Sequence, residues 1–108
     1  MEIPAINEDG IPVLLNSKDI LFISSKNDKI LLETRDQTYR PIRTLKDFEL
    51  LLSDDRFLSL SKSSIVNINL VKFYNENTRK AFFDKDSNGK NVEVSRRNMK
   101  KVTKFTEP

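Results

Sequence analysis

The stretch Phe57-Leu58-Ser59-Leu60-Ser61-Lys62-Ser63-Ser64-Ile65-Val66-Asn67 sets the reading of the whole chain. An apolar segment, Phe57–Leu60, gives way to a polar turn that presents Ser61, Lys62 and Ser63. Ile65-Val66 then returns to the core, and Asn67 follows. Hydroxyls and a cation on one short turn suit phosphate oxygens and the hydrogen-bonding edges of bases. The same residues also fit a solvated turn, with Asn67 bonding nearby backbone.

On both sides of this stretch, short apolar runs bounded by polar turns recur at a spacing of roughly ten residues, the pattern of antiparallel β structure. Strands are expected at Ile11–Leu15, Ile20–Ser24, Ile30–Thr34, Thr38–Arg43, Phe57–Leu60, Leu70–Asn75, Lys80–Asp84 and Asn91–Val94. Lys26-Asn27-Asp28-Lys29 links the second and third, and Arg35-Asp36-Gln37 the third and fourth. Asn88-Gly89 carries the strongest turn signal, because an Asn-Gly pair accepts positive φ at both central positions. Two helices interrupt the strands. Thr44 precedes Leu45, Phe48, Leu51 and Leu52, which share one helical face, and Asp47 completes an approximate capping box. Ser53-Asp54-Asp55 ends that helix. Near the C-terminus Ser95 is placed to cap a short helix with Met99, Val102 and Phe105 facing inward. The whole of residues 1–108 reads as one domain, without linker or internal repeat.

Composition narrows the function. The chain has no Cys and no His, which removes disulfides, thiolate metal sites, and the commonest general base and zinc ligand. No stretch resembles a signal peptide or a membrane span of roughly 20 apolar residues, so a cytoplasmic location is expected. Charge is unevenly spread. Residues 1–54 hold 7 Lys/Arg against 10 Asp/Glu, and residues 55–108 hold 12 against 6. From Val94 to Thr106 the chain carries Arg96, Arg97, Lys100, Lys101 and Lys104 without an acid. Such asymmetry suits a polyanionic partner, although a solvated surface also accounts for it.

Other chemistries fit poorly. Asp84-Lys85-Asp86-Ser87-Asn88-Gly89 imitates the first half of an EF-hand loop, but the position of the bidentate Glu is Ser95 and the flanks read as strands. The serines Ser59, Ser61, Ser63 and Ser64 lack a His to activate them, which leaves a Lys as the alternative base, and two scattered glycines cannot form a phosphate-cradling loop. Neither enzymatic activity, nor a metal site, nor a cofactor is expected.

At this point four segments together resemble the LytTR DNA-binding domain family of bacterial response regulators. Asp19-Ile20-Leu21-Phe22-Ile23 resembles its opening strand, and Thr44-Leu45 with the amphipathic segment its central helix. Phe57 through Asn67 resembles the segment usually written as Phe, a strand, His-Arg-Ser and Val-Asn. Val94-Ser95-Arg96-Arg97-Asn98 resembles the closing Val-Ser-Arg-Arg signature. The resemblance implies a mainly β fold: an elongated antiparallel sheet or sandwich of about eight to ten strands, with a short central and a short C-terminal helix. It implies sequence-specific binding of double-stranded DNA by a cytoplasmic transcriptional regulator, two copies per repeated promoter site, with loops entering the major groove.

Carried over residue by residue, the family pattern gives Lys62 flanked by Ser61 and Ser63. It gives Arg97 as base reader, with Ser95 and Arg96 at the backbone. Asn27 and Lys29 belong to a further contacting hairpin, and Lys101 is expected on a phosphate. Two departures stand out. Ser61-Lys62-Ser63 replaces His-Arg-Ser, and Lys lacks the planar fork that makes Arg bidentate on guanine. Asp28, at the hairpin tip, is an acid facing DNA. The receiver domain that the family commonly carries is absent from this chain, which reads as a stand-alone regulator or a fragment. The competing reading is a protein-interaction module that kept the fold without base reading.

Overall fold

In the computed structural model, which describes residues 1–42, 50–54, 56–84 and 89–106, ten strands form two antiparallel sheets. They are β1 Glu2–Ile6, β2 Pro12–Asn16, β3 Phe22–Lys26, β4 Lys29–Glu33, β5 Thr38–Pro41, β6 Phe57–Ser61, β7 Ser64–Asn67, β8 Phe73–Asn75, β9 Lys80–Phe82 and β10 Asn91–Glu93. Seven strands join in the order β2-β1-β5-β4-β3-β7-β6, and three in the order β10-β9-β8. The molecule extends 42 × 26 × 26 Å.

The large sheet is buried on both faces at its centre, and this explains its sequence. Phe22, Leu60 and Val66 pack with Tyr74, Ala81, Phe83, Val92, Val94 and Val102 from the small sheet side. Ile23, Leu32 and Phe57 turn the other way, against Ile3, Ala5, Leu15, Ile20 and Leu51. Successive residues Phe22-Ile23 and Ile65-Val66 therefore feed opposite cores, so both must be apolar. The Phe22 and Phe83 rings stack with centroids 5.5 Å apart, joining the two sheets.

Local chemistry sets the turns. In the two-residue β3–β4 hairpin, Lys26 pairs with Lys29. Asn27 and Asp28 have φ of 52° and 63°, the left-handed pair that a type I′ turn requires and that these two residue types tolerate. Between β1 and β2 the Asn7 side-chain oxygen accepts from the amides of Asp9 and Ile11 at 2.9 Å each, and Gly10 takes φ 80°. Between β6 and β7 the register shifts at Ser59/Ser61, a bulge that re-aims the turn beyond it.

The sequence reading needs correction at six points. β1 and β7 had no predicted counterpart. The Leu70–Asn75 strand begins only at Phe73, after a 3-10 turn at Ile68–Leu70. Leu52 is exposed, not inward-facing; of the leucines at 50–52, which are helical, only Leu51 is buried. The C-terminal helix is 3-10 throughout, Arg96–Lys101 followed by Thr103–Phe105. Ser95 makes no side-chain capping bond there. Its hydroxyl instead accepts from Asn98 Nδ2 at 2.7 Å. The proposed Thr44 cap with Leu45, Asp47 and Phe48, the end of the fourth strand at Arg43, Asp55, and the Asp86 to Asn88 turn lie outside the described residues.

Candidate nucleic-acid interface

Three segments far apart in sequence are drawn to one end of the large sheet. The first link is between β3 and β7, which pair Ser24 with Ser64. One step further, the Ser25 amide donates to the Ser63 carbonyl at 2.8 Å. The β3–β4 hairpin and the Lys62-Ser63 turn thus leave the sheet side by side, with Asn27 about 7 Å beyond that bond at strand rise. The second link brings in the basic C-terminal segment. Ser95 N donates to Leu60 O at 2.8 Å, and Lys101 Nζ donates to Ser59 O at 3.1 Å.

These links create a depression of about 230 Å³ lined by Ser59, Ser61, Lys62, Ser95, Arg97 and Asn98. Lys62, Ser63, Arg96 and Arg97 are exposed, as are Asn27 and Lys29 at the hairpin. The serines differ in what they can offer. Ser61 Oγ shares a hydrogen bond with Ser64 Oγ at 2.9 Å and accepts from the Ser63 amide at 3.3 Å, so it mainly holds the turn in shape. Ser95 Oγ accepts from Asn98 and keeps its own hydrogen for an outside acceptor. Lys101 is partly committed to Ser59 O, and the 3-10 geometry changes its place. At three residues per turn Lys100, not Lys101, stacks over Arg97.

Asn67 is buried, and its side-chain amide donates to Ile20 O at 3.1 Å. Its own amide donates to Leu21 O at 2.8 Å. It locks β7 to the segment entering β3 and faces no solvent. Sequence reasoning also missed two contributors to this end of the molecule. Asn98 could have been found from its position three residues after Ser95. Arg79, in the turn after β8, had no signal, because it arrives through the bond from Val94 N to Arg79 O at 2.8 Å.

Beneath the surface, Tyr74 is fully buried. Burial pushes its phenol above the ordinary value of 10.0; Glu76 adds to the rise and Arg79 opposes it. No group of His, Cys, Asp or Glu among the described residues could hold a metal ion. No helix among them is long and apolar enough to cross a membrane.

The β scaffold thus gathers cationic and hydroxyl-bearing turns at one end, an arrangement suited to a binding domain. The comparisons place it more closely. The LytTr DNA-binding domain model matches residues 12–107, and the chain belongs to this family. Among solved structures it is similar to the LytTr DNA-binding domain of a Bacillus cereus protein described as a putative methyl-accepting/DNA response regulator. The TM-score is 0.69 at 24% identity, over 96% of this chain and 94% of that one. Among curated proteins none matches the chain. The family is one of DNA-binding domains and not a class of enzymes.

Proposed function

We propose that this chain is one binding unit that recognises specific double-stranded DNA sequences for a bacterial transcriptional regulator acting in the cytoplasm, with loops in the major groove. The observation that carries the reading is the convergence of Lys62 and Arg97 over one depression, held by the Ser95–Leu60 and Lys101–Ser59 bonds. Arg97 presents a planar fork that matches the O6 and N7 acceptors of one guanine. Lys62, a compact point charge, suits a phosphate or a single base acceptor. The β3–β4 hairpin reaches further along the duplex with Asn27 and Lys29. Two copies on a repeated site, and a receiver domain as regulatory partner, belong to the same reading.

Selection of bound duplexes from a random pool, followed by salt titration on the selected site and a scrambled one, tests it. Neutralising about six phosphates would give a slope of log K against log salt of roughly −5. No enriched sequence and a slope near zero would sink the reading in favour of a protein-interaction module.

A further inference from the structure

Ser61 and Ser95 line two depressions that both carry cationic side chains. One is the Lys62–Arg97 depression. The other is a cleft of about 300 Å³ in which Thr78, Arg79, Arg96 and Glu93 surround the same Ser61 and Ser95. Arg79 holds φ 56°, a left-handed conformation that Gly, Asn and Asp accept readily and a long side chain adopts uncommonly. Backbone outliers of this kind concentrate where a side chain must be held in place for a task. The conformation is fixed from outside the turn, by the Val94 amide on the Arg79 carbonyl.

We propose that Arg79 and Arg96 seat a single DNA backbone phosphate in this cleft, next to the side that faces the bases. The proposal rests on the DNA-binding reading above, in which Ser95 and Arg96 already meet the backbone, and adds Arg79 and its cleft to it. Two guanidiniums and one carboxylate leave the cleft with one net positive charge, the complement of one phosphodiester. Guanidinium pairs with phosphate oxygens through two parallel N–H donors. The Ser95 hydroxyl keeps a hydrogen for the same anion, and the Thr78 hydroxyl is a further donor. A phosphate held here would fix the register of the duplex against the Ser61 and Ser95 pair that both depressions share, so that Arg97 meets one base and not its neighbour. Contacts of this type set register and carry no sequence information themselves.

The test is salt titration of duplex binding by Arg79→Asn, which suits the left-handed backbone, and by Arg79→Lys, which keeps the charge. With Arg79→Asn, affinity falls about tenfold at 0.1 M salt for selected and scrambled duplexes alike, and the slope becomes shallower by about one unit. Arg79→Lys retains the wild-type slope, and the thermal midpoint of Arg79→Asn is equal to or above wild type. Wild-type affinity and slope in Arg79→Asn, alongside a wild-type protein that binds DNA, would overturn this site alone. A fall of several degrees in the midpoint of Arg79→Asn, with binding unchanged once folded, would make Arg79 structural and overturn it too. Absence of duplex binding by the wild type would remove both this site and the reading beneath it.

Discussion

The amide of Ser95 donates to the carbonyl of Leu60 at 2.8 Å, tying the start of the basic C-terminal segment to the last buried residue before the Lys62 turn. Leu60 is fully buried, so the donor that fixes Ser95 is anchored in the core. Two surface segments separated by more than thirty positions in the chain are therefore held against each other through the core. Rigid support of this kind is what lets a side chain be aimed at one base edge.

Arg97 and Lys101 should then behave differently on DNA. Arg97→Ala is expected to weaken the selected site by about 1–3 kcal/mol, to relax the preference at one base position, and to change scrambled-duplex binding much less. Lys101→Ala removes the bond to Ser59 O and a surface charge. It should weaken both duplexes by similar factors and cost about 0.5 kcal/mol of stability. Paired duplex titrations and denaturant melts check this. Equal losses on both duplexes for Arg97→Ala would make Arg97 a phosphate contact.

Asp28 occupies a left-handed position at the tip of the β3–β4 hairpin, where Asn-Gly is the preferred pair. Asp28→Gly should raise stability by about 0.5 kcal/mol in denaturant melts, by relieving the strain of a side chain at positive φ. It also removes an acid from the end proposed to meet DNA, so affinity for any duplex should rise several-fold at low salt and converge with wild type as salt screens the charge. Unchanged affinity at low salt would place the hairpin away from DNA.

Asn67 is a test of burial against function. Asn67→Ala leaves Ile20 O without its side-chain donor in a buried position, a loss of about 1–3 kcal/mol that is partly offset because the buried Asn67 Oδ1, which has no partner among the described residues, is removed with it. The folded variant should bind DNA as the wild type does, since Asn67 is only 2% exposed. A melt that shifts little, or a duplex affinity that collapses at full folding, contradicts that role.

What the chain disclosed before its structure was known depended on whether the cause was local. The Asn27-Asp28 hairpin was legible because two adjacent residues carry the whole turn requirement. β7 was not, because a strand buried on both faces replaces alternation with Ser64-Ile65-Val66-Asn67, including two buried polar residues. β1 hid behind Pro4. There the ladder with β5 ends, since Ile42 N donates to Pro4 O at 3.4 Å and proline has no N–H to return. The C-terminal segment was read as an α-helix from the spacing of Met99, Val102 and Phe105. A basic first turn without an acid, and a Ser95 hydroxyl taken by Asn98, left little to favour α over 3-10 geometry. Family resemblance singled out the Lys62 and Arg97 segments individually. Their meeting was not, because it rests on backbone bonds that carry no residue preference.

Tyr74 offers a reading of the core through pH. Its hydroxyl is buried and, among the described residues, has no hydrogen-bond partner. Burial, reinforced by Glu76, raises its pKa above 10.0. Well below pH 10 the phenol is neutral in both folded and unfolded chains, and its contribution to stability is constant. As pH rises through about 10 the unfolded chain ionises first, and stability is lost until the folded pKa is passed. Tyr74→Phe deletes that limb and removes a buried hydroxyl that lacks a partner. At pH 7 the variant should be as stable as wild type or slightly more so. The difference between the two should then widen in favour of the variant as pH rises through about 10. Denaturant melts at several pH values measure that difference directly, with lysine titration common to both proteins. A variant clearly less stable at pH 7, or a difference that stays flat into the alkaline range, would mean that the Tyr74 hydroxyl has a partner or is solvated in the folded protein.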